Sequence, residues 1–226
     1  MRKLIVNTFM TLDGVMQAPG GPDEDPTGGF TLGGWAVNYW DEEMMGQMEE
    51  AEPYELLLGR GTYEIFAAHW PYADGPIADH LNSTRKHVAS TTLERVEWNN
   101  STLITGDVAD YVATLKGQGG PEIQVHGSPG LIQTLLKHDL IDEFRMWTFP
   151  LVIGTGKRFF GDGTLPAALK LTHSKVSKTG VTINTYERAG DVEPGSFEFD
   201  QPTEAELARR RRLAASSSPA PDHRLG

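Results

Sequence analysis

Three short segments of the chain combine glycine, hydroxyl and cationic residues in a way that could bind a phosphorylated ligand. Each segment follows a short run that we interpret as a strand. The segments are Gly59-Arg60-Gly61-Thr62, Ser90-Thr91-Thr92 and Gly127-Ser128-Pro129-Gly130. In an open α/β sheet, ligands bind just beyond the carboxyl ends of the strands. We therefore expect the three segments to converge on one site.

The chemistry of these segments suits an adenine dinucleotide phosphate. Arg60 carries a rigid fork of donors that fits a phosphate group, and glycines let the backbone pass close to a ligand. The free N–H groups at the start of a following helix form an anion site. Charge-assisted hydrogen bonds contribute about 1.5–3 kcal/mol each, so two or three could select NADPH over NADH. Taken singly, each segment has a simpler explanation as a surface arginine or a helix cap.

The order of the predicted elements indicates how these segments are positioned. Short strands alternate with helices from the apolar strand predicted at Lys3–Phe9 onward, which is typical of βαβ units and a largely parallel sheet. Leu169–Ser177 and Val181–Arg188 instead have the pattern of two strands joined by a hairpin. We therefore predict an α/β fold with a mixed, mostly parallel sheet and an antiparallel C-terminal edge hairpin. Residues 17–34 are rich in Gly, Pro and Asp and are expected to form a long mobile loop.

A change of composition near Gly190 predicts the domain organisation. We expect one folded domain over residues 1–189 and a disordered polar tail over residues 190–226. Within the tail, Thr203–Leu213 could form a transient helix that begins with a capping box. The basic cluster Arg209–Arg212 is interpreted as a solvated charge run, with a docking tail for an acidic partner as the alternative.

Composition and charge exclude several classes of function. The 226 residues include no cysteine, so disulfides, thiolate metal sites and cysteine nucleophiles are ruled out. A net charge of −11 disfavours nonspecific nucleic-acid binding, and we expect no nucleic-acid partner. No stretch approaches the roughly 18 apolar residues of a membrane span. The N-terminal residues lack the features of a signal peptide, so a cytoplasmic location is expected.

Other motifs do not meet the requirements of the chemistry that they suggest. Gly154-Thr155-Gly156-Lys157 lacks the spacing of a P-loop, and the segment after His126 lacks the glycine spacing of a Rossmann fingerprint. The seven histidines lack the spacing of a helical metal pair, and no serine lies in a nucleophile elbow. We expect no metal site.

Several motifs in order resemble the dihydrofolate-reductase-like family, and most closely the C-terminal reductase domain of bifunctional riboflavin-biosynthesis enzymes. The resemblance covers residues 2–188. It is carried by the motifs Thr11-Leu12-Asp13-Gly14, Leu57-Leu58-Gly59-Arg60-Gly61-Thr62-Tyr63-Glu64, Ile123-Gln124-Val125-His126-Gly127-Ser128, Leu140-Ile141-Asp142-Glu143-Phe144 and Pro150-Leu151-Val152-Ile153-Gly154-Thr155-Gly156-Lys157-Arg158-Phe159-Phe160. The resemblance implies a three-layer α/β/α fold, an NADPH cofactor and a homodimer that associates through the antiparallel edge.

The resemblance also implies roles for the residues around the adenosine end of the cofactor. Gly59, Arg60 and Thr62 match the turn that holds the 2′-phosphate of NADPH. Ser90 and Thr91 match a pair of hydroxyl groups that face the same phosphate.

Further matches concern the rest of the cofactor. Gly127, Ser128 and Leu131 match the turn and helix start under the pyrophosphate, although the family commonly has a second glycine where this chain has Ser128. The segment Leu12-Asp13-Gly14 matches the loop beside the nicotinamide.

Candidate residues for the substrate come from their chemistry and from the same resemblance. Dihydrofolate reductases carry an acidic residue on the first helix, and Asp41 lies nearby in the chain, although a helix cap is its simpler role. Asp13 could act in catalysis by orienting or protonating the substrate, or could only hold its turn. Trp40 and Trp70, like Trp35, could stack on a flat heterocycle or fill the core.

The predicted function is therefore NADPH-dependent hydride transfer to a small heterocyclic substrate. The named activity closest to it is that of 5-amino-6-(5-phosphoribosylamino)uracil reductase of riboflavin biosynthesis. Two alternatives stay open at this point. One is dihydrofolate reductase, and the other is a non-catalytic dinucleotide-binding or regulatory protein.

Overall fold

The computed structural model describes residues 1–49, 52–162 and 164–216. The chain divides into two compact units, Met1–Asp191 and Val192–Gly226. The division lies two residues from the predicted domain boundary.

Eight strands in the first unit form one sheet. They are β1 (Leu4–Thr11), β2 (Tyr54–Gly59), β3 (Lys86–Ala89), β4 (Ser101–Ile104), β5 (Glu122–His126), β6 (Glu143–Phe149), β7 (Leu169–Val176) and β8 (Thr182–Arg188). Their order across the sheet is β4-β3-β2-β5-β1-β6-β8-β7. The pairs among β1–β6 are parallel, whereas β8 pairs antiparallel with both β6 and β7. The predicted mixed α/β sheet with an antiparallel edge hairpin is confirmed.

Helices cover both faces of this sheet. They are α1 (Glu42–Glu49), α2 (Arg60–His69), α3 (Pro76–Ser83), α4 (Val108–Gly117) and α5 (Pro129–Lys137). One face packs against α4 and α5, where Leu4 and Val6 of β1 share a buried cluster with Val112, Ile132 and Leu135. Alternate residues of a strand point to opposite faces, so the residues between them serve the other face.

The opposite face carries two separate apolar clusters. The first joins Met44 of α1 to Trp147 and Phe149 of β6. The second joins Leu56 and Leu58 of β2 to aromatic and aliphatic side chains of α2 and α3. β1 and β5 run between the two clusters, so the centre of this face is flanked by helices on each side.

The chain connections diverge at β1 and β5. The connection from β1 runs past β5 to β2, whereas the connection from β5 runs past β1 to β6. Loops that leave neighbouring strands in opposite directions open a crevice at the carboxyl ends, which is where open α/β sheets bind ligands. The same reversal occurs between β2 and β5 and between β1 and β6, so the topology favours the carboxyl ends of the central strands as the place for a site.

The long loop after β1 contributes buried side chains to the core of the first unit, although it contains little regular structure. It includes two short 3-10 turns, Thr27–Gly29 and Val37–Tyr39. Phe30 and Trp35 are buried, and the indole N–H of Trp35 donates to the carbonyl of Gln17 at 2.7 Å. The mobility expected for residues 17–34 stays a prediction.

The second unit contains one further helix, α6 (Glu204–Ser216), within the segment for which a disordered tail is predicted. The hydroxyl of Thr203 accepts a hydrogen bond from the backbone N–H of Glu206 at 3.2 Å, as a capping residue does. The carboxylate of Glu206 pairs with Arg209 and Arg210 and so lacks the return bond of a capping box. The disorder predicted for residues 217–226 lies outside the described residues.

Candidate active site

The turns after β2 and β5 are in direct contact. The backbone N–H of Gly59 donates to the hydroxyl of Ser128 at 2.9 Å, and the backbone N–H of Ser128 donates to the hydroxyl of Thr62 at 2.8 Å. The Ser128 hydroxyl in turn donates to the carbonyl of His126 at 3.0 Å. These bonds hold two of the three predicted segments together at the carboxyl ends of the strands. We call this end of the sheet the cofactor edge.

Close approach of the two turns depends on glycine at position 127. Gly127 has φ +53°, in the left-handed region, and a Cβ built there would lie 2.9 Å from the Thr62 hydroxyl. Ser128 follows in the same region, with φ 63°. Side chains are strained in this region, so Ser128 is held there by its three hydrogen bonds. Ser128 is buried, and its place in the turn under a bound pyrophosphate stays a prediction.

The helices that follow the two turns begin without side-chain caps. Neither Gly59 at the start of α2 nor Ser128 at the start of α5 provides a side-chain hydrogen bond to its helix. The first N–H groups of an α-helix have no partner within the helix, and the macrodipole makes that end positive. Two uncapped helix starts therefore lie side by side, with Thr62 and Leu131 in their first turns.

The third predicted segment lies beside the first. Gly59 and Ala89 are register partners at the ends of β2 and β3, which places Ser90 next to Arg60 in the sheet order. The hydroxyl of Ser90 accepts hydrogen bonds from the amides of Thr92 and Leu93 and lies 3.5 Å from the hydroxyl of Thr92. Thr91 is exposed. The predicted segments thus end three neighbouring strands, β3-β2-β5.

Arg60 is the free cation of this edge. Its side chain is exposed and forms no hydrogen bond or ion pair with any described residue. An unpaired guanidinium at the start of a helix reinforces the positive end of the helix dipole. The edge can therefore hold an anion against the field of a chain with net charge −11.

The floor of the crevice between β1 and β5 is a polar network that the sequence analysis missed. Asn7 and His126 are register partners at the carboxyl end of β5. The side-chain oxygen Oε1 of Gln124 lies 3.3 Å from the side-chain nitrogen Nδ2 of Asn7 and 2.8 Å from Nε2 of His126. The indole N–H of Trp147 donates to the amide oxygen of Asn7 at 3.0 Å. Asn7 and His126 are both half-buried.

His126 is neutral at physiological pH. Burial, with smaller contributions from His80 and Arg145, lowers its pKa to about 4. Because a carbonyl oxygen can only accept, the bond to Gln124 assigns the proton of the ring to Nε2. Nδ1 is then an acceptor, so His126 can take a hydrogen bond from a ligand N–H or O–H.

Asp13 clamps the loop after β1 to the loop after β6. Its carboxylate accepts from the hydroxyl of Thr11 at 2.6 Å and from the amides of Ile153 and Gly154 at 3.1 and 2.8 Å. Arg158 binds both its carbonyl and its carboxylate. The Thr11 hydroxyl, followed by the two amides, lowers the pKa of Asp13 to about 2. This geometry favours a positioning role for Asp13, while the neighbouring Leu12 is largely exposed at the crevice end of β1.

Asp41 caps α1 and also fixes the edge hairpin. Its carboxylate accepts from the amide of Met44 at 3.0 Å and from the amide of Lys178 at 2.8 Å. These two bonds, the one from Met44 first, hold the pKa of Asp41 below its usual range. The helix-cap role considered for Asp41 is therefore the one that its contacts favour, and contact with a substrate stays a prediction.

The two tryptophans predicted to stack on substrate lie in different clusters. Trp40 is half-buried beside Phe9 and Trp147, with ring centroids 5.5 and 6.4 Å apart. That position borders the polar floor at Asn7. Trp70 packs against Phe66 and belongs to the cluster of α2 and α3. Of the pair, Trp40 is the better placed for a planar ligand in the crevice.

Residues 2–183 match the family model of the RibD C-terminal domain. The chain belongs to this family. The resemblance that the motifs carry is thus confirmed, and the RibD C-terminal domain spans nearly all of the first compact unit. The family match supports a reductase.

Two relatives of this RibD C-terminal domain are the uncharacterized proteins YyaP and YwjB of Bacillus subtilis (strain 168). YyaP is 26% identical over 198 residues, which cover 84% of this chain and 96% of the relative. YwjB is 24% identical over 192 residues, which cover 83% of this chain and 99% of the relative. Both relatives are uncharacterized, so neither indicates an activity.

Three solved structures share the fold. A protein from Shewanella sp. PV-4 that is named for riboflavin biosynthesis has a TM-score of 0.60 and 26% identity, over 83% of this chain and 99% of that one. A pyrimidine reductase-like protein from Corynebacterium diphtheriae gives 0.57 and 11%, over 84% and 93%. Dihydrofolate reductase from Enterococcus faecalis, complexed with NADP(H) and RAB-propyl, gives 0.52 and 15%, over 82% and 96%. The last two likenesses concern the fold alone.

None of the helices in the part of the chain that the structure describes has the length and hydropathy to cross a membrane. The same residues contain no group of three or more His, Asp or Glu side chains arranged to hold a metal ion.

Proposed function

We propose that the protein is an NADPH-dependent reductase that transfers a hydride to a small heterocyclic substrate. The closest named activity is that of 5-amino-6-(5-phosphoribosylamino)uracil reductase. The observation that carries the proposal is the direct contact of the turns after β2 and β5 beside the unpaired Arg60. The NADP(H) in the structure of the dihydrofolate reductase relative supports the same cofactor.

The donors at this edge fit a phosphorylated dinucleotide. Arg60, with the hydroxyls of Ser90 and Thr91, would hold the 2′-phosphate. The first amides of α2 and α5, beside Thr62, Gly127 and Leu131, would hold the pyrophosphate. Thr62 accepts from the Ser128 amide, so its own hydroxyl proton is available to an anion.

The crevice would orient the substrate and exclude water around the reacting atoms. NADPH, when bound, supplies a hydride to a C=N or C=O carbon, and the nitrogen or oxygen left behind takes up a proton. Asp13 is ionised and fully engaged, with a pKa of about 2, so we assign the proton to water. Asn7 and the Nδ1 atom of His126 would bind polar edges of the heterocycle, and Trp40 would stack on its face.

Steady-state turnover tests the proposal directly. The loss of NADPH absorbance is followed with a panel of ribosylaminopyrimidines, simpler pyrimidines and dihydrofolate. We expect turnover with a pyrimidine substrate and none with dihydrofolate. Saturable NADPH binding without turnover of any compound would favour the non-catalytic alternative. Turnover of dihydrofolate, inhibited by folate analogues, would favour the dihydrofolate reductase alternative.

We also propose that the protein forms a homodimer through β7. This strand pairs with β8 on one side only, and all eight of its residues are exposed, including Leu169, Leu171 and Val176. An unpaired edge strand with apolar side chains is a template for a second strand. Light scattering after size exclusion should give twice the chain mass, and Leu171→Lys should give the monomer. A wild-type monomer would refute this association.

A further inference from the structure

A second cavity lies far from the proposed cofactor edge. It has a volume of about 660 Å³ and is bordered by the amino-terminal ends of β3 and β4 and by one side of α4. Its walls include Arg85, His87, Ser101, Tyr111, Thr114 and Gln118. The proposed cofactor edge lies at the carboxyl ends of the same parallel strands, so the two places are at opposite edges of the sheet.

The walls of this cavity are unusual for so acidic a chain. None of the described residues that line it is Asp or Glu, although the chain carries 31 acidic residues. Arg85 is exposed at its rim, and its guanidinium has no hydrogen bond or ion pair among the described residues. A free guanidinium among hydroxyl and amide groups suits an oxyanion.

A buried chain of hydrogen bonds orients the phenol of the cavity. Arg2 pairs with Glu55 at 2.9 Å, and the same carboxylate oxygen lies 2.9 Å from Nε2 of His87. Nδ1 of His87 lies 2.8 Å from the hydroxyl of Tyr111. The carboxylate must receive the Nε2 proton, so in the neutral ring Nδ1 accepts from the phenol. Burial, the largest effect, lowers the pKa of His87 and favours this neutral form.

This arrangement fixes what the cavity can bind. Tyr111 donates its phenol proton to His87. The phenol oxygen can therefore only accept a hydrogen bond from a ligand, and the ligand needs a donor such as a hydroxyl group. The hydroxyl oxygen of Ser101 is buried without a hydrogen-bond partner among the described residues. Buried polar atoms are normally paired, and an unpaired one bordering a cavity points to a missing ligand or water.

We propose that this cavity is a second ligand site, which binds a small hydroxylated molecule that carries a phosphate or carboxylate group. The anionic group is held by Arg85, and hydroxyl groups of the same molecule donate to Tyr111 and pair with Ser101. The site is separate from the one that we assign to NADPH and does not depend on the proposed reductase activity.

The test uses NMR spectra of the full chain labelled with carbon-13 tyrosine, in which the ring resonances of the tyrosines are followed. The signal of Tyr111 is assigned by its loss in Tyr111→Phe. Glucose 6-phosphate and gluconate are the phosphate and carboxylate probes, and glucose is the uncharged control. We expect the Tyr111 signal to shift saturably with at least one charged probe and to remain unchanged with glucose.

Matched variants locate the anion. Arg85→Gln should weaken the binding of the effective probe by about tenfold or more, because a charge-assisted contact is lost. Arg95→Gln, at an exposed arginine that pairs with Glu97, should leave binding unchanged. Unfolding in urea checks that both variants are as stable as the wild type. A Tyr111 signal unmoved by both probes would overturn the proposal, as would equal binding by Arg85→Gln and wild type or an equal response to glucose.

Discussion

Substitution of Gly127 by alanine tests whether the turns after β2 and β5 must touch. The alanine must adopt φ +53°, which costs about 1–2 kcal/mol in the left-handed region. Its Cβ would lie 2.9 Å from the hydroxyl of Thr62 and 3.2 Å from its methyl group, so Thr62 must move. That movement breaks the bond from the Ser128 amide, which contributes about 0.5–1.5 kcal/mol. The expected loss in the free energy of unfolding is about 2–3 kcal/mol.

Urea unfolding and NADPH titration measure this effect together. Thr62→Ala in the Gly127→Ala background removes the atoms that clash, so the second substitution should cost less there than in the wild type. Gly130→Ala is the matched control, because its Cβ meets nothing within 4 Å and it lies inside α5. Alanine is a better helix former than glycine, so this control should be neutral or slightly stabilising. NADPH affinity should fall for Gly127→Ala.

Two results would refute this reasoning. One is a Gly127→Ala protein as stable as the Gly130→Ala control. The other is additivity of the Gly127 and Thr62 substitutions, since residues in contact must couple.

Three further predictions concern single side chains. The pKa of Asp13 is about 2 in the folded protein against an ordinary 3.8, so its contribution to stability is present above pH 4 and is lost as the pH falls toward 2. Asp13→Asn should therefore flatten the acid limb of the pH–stability curve. An unchanged acid limb would contradict the role of Asp13 in joining the two loops. Asp41→Ala should lower the urea midpoint of unfolding, because the amides of Met44 and Lys178 lose their acceptor. An unchanged midpoint would count against this. His126→Leu should raise the KM for the heterocycle by about three- to tenfold while the Kd for NADPH is unchanged, and a change in Kd alone would place His126 outside the substrate site.

The order of strands and helices could be predicted because each element has a local signal. The strand patterns in the sequence at residues 86–89 and 122–126 coincide with β3 and β5. Asp107 directly precedes a helical pattern and caps α4, its carboxylate accepting from the amide of Asp110 at 3.0 Å. The starts of α2 and α5 were less accurate. The helical patterns in the sequence begin at Thr62 and Leu131, whereas α2 begins at Arg60 and α5 at Pro129, because neither helix has a side-chain cap that marks the boundary.

The candidate site could be predicted only where it lies in turns. The glycines and hydroxyls of the three turns stand out in the sequence, and they do end neighbouring strands. Asn7 follows the apolar run Leu4–Val6, and His126 continues the polar alternation of Glu122 and Gln124 in β5, which is the signal that could have found them. Their meeting depends on the parallel pairing of β1 with β5, which joins residues 119 positions apart in the chain. No local pattern specifies that pairing.

The roles of the acidic residues also required the structure. Asp13 and Asp41 each accept from backbone amides more than 130 positions away in the chain, at Gly154 and Lys178. Such bonds occupy the carboxylates in positioning loops. From the sequence, each of them is predicted as an acidic residue near the substrate. Only the packing of distant loops shows which groups each carboxylate binds.

Nucleotide selectivity tests the central claim, that donors from the turns after β2, β3 and β5 grip one phosphorylated nucleotide. NADPH and NADH are titrated by calorimetry into the wild type, Arg60→Ala and the control Arg95→Ala. We predict that the wild type prefers NADPH and that Arg60→Ala binds NADPH about 10- to 100-fold more weakly while its affinity for NADH barely changes. Equal affinity of the wild type for both nucleotides, or an Arg60→Ala variant that keeps the preference, would contradict the account.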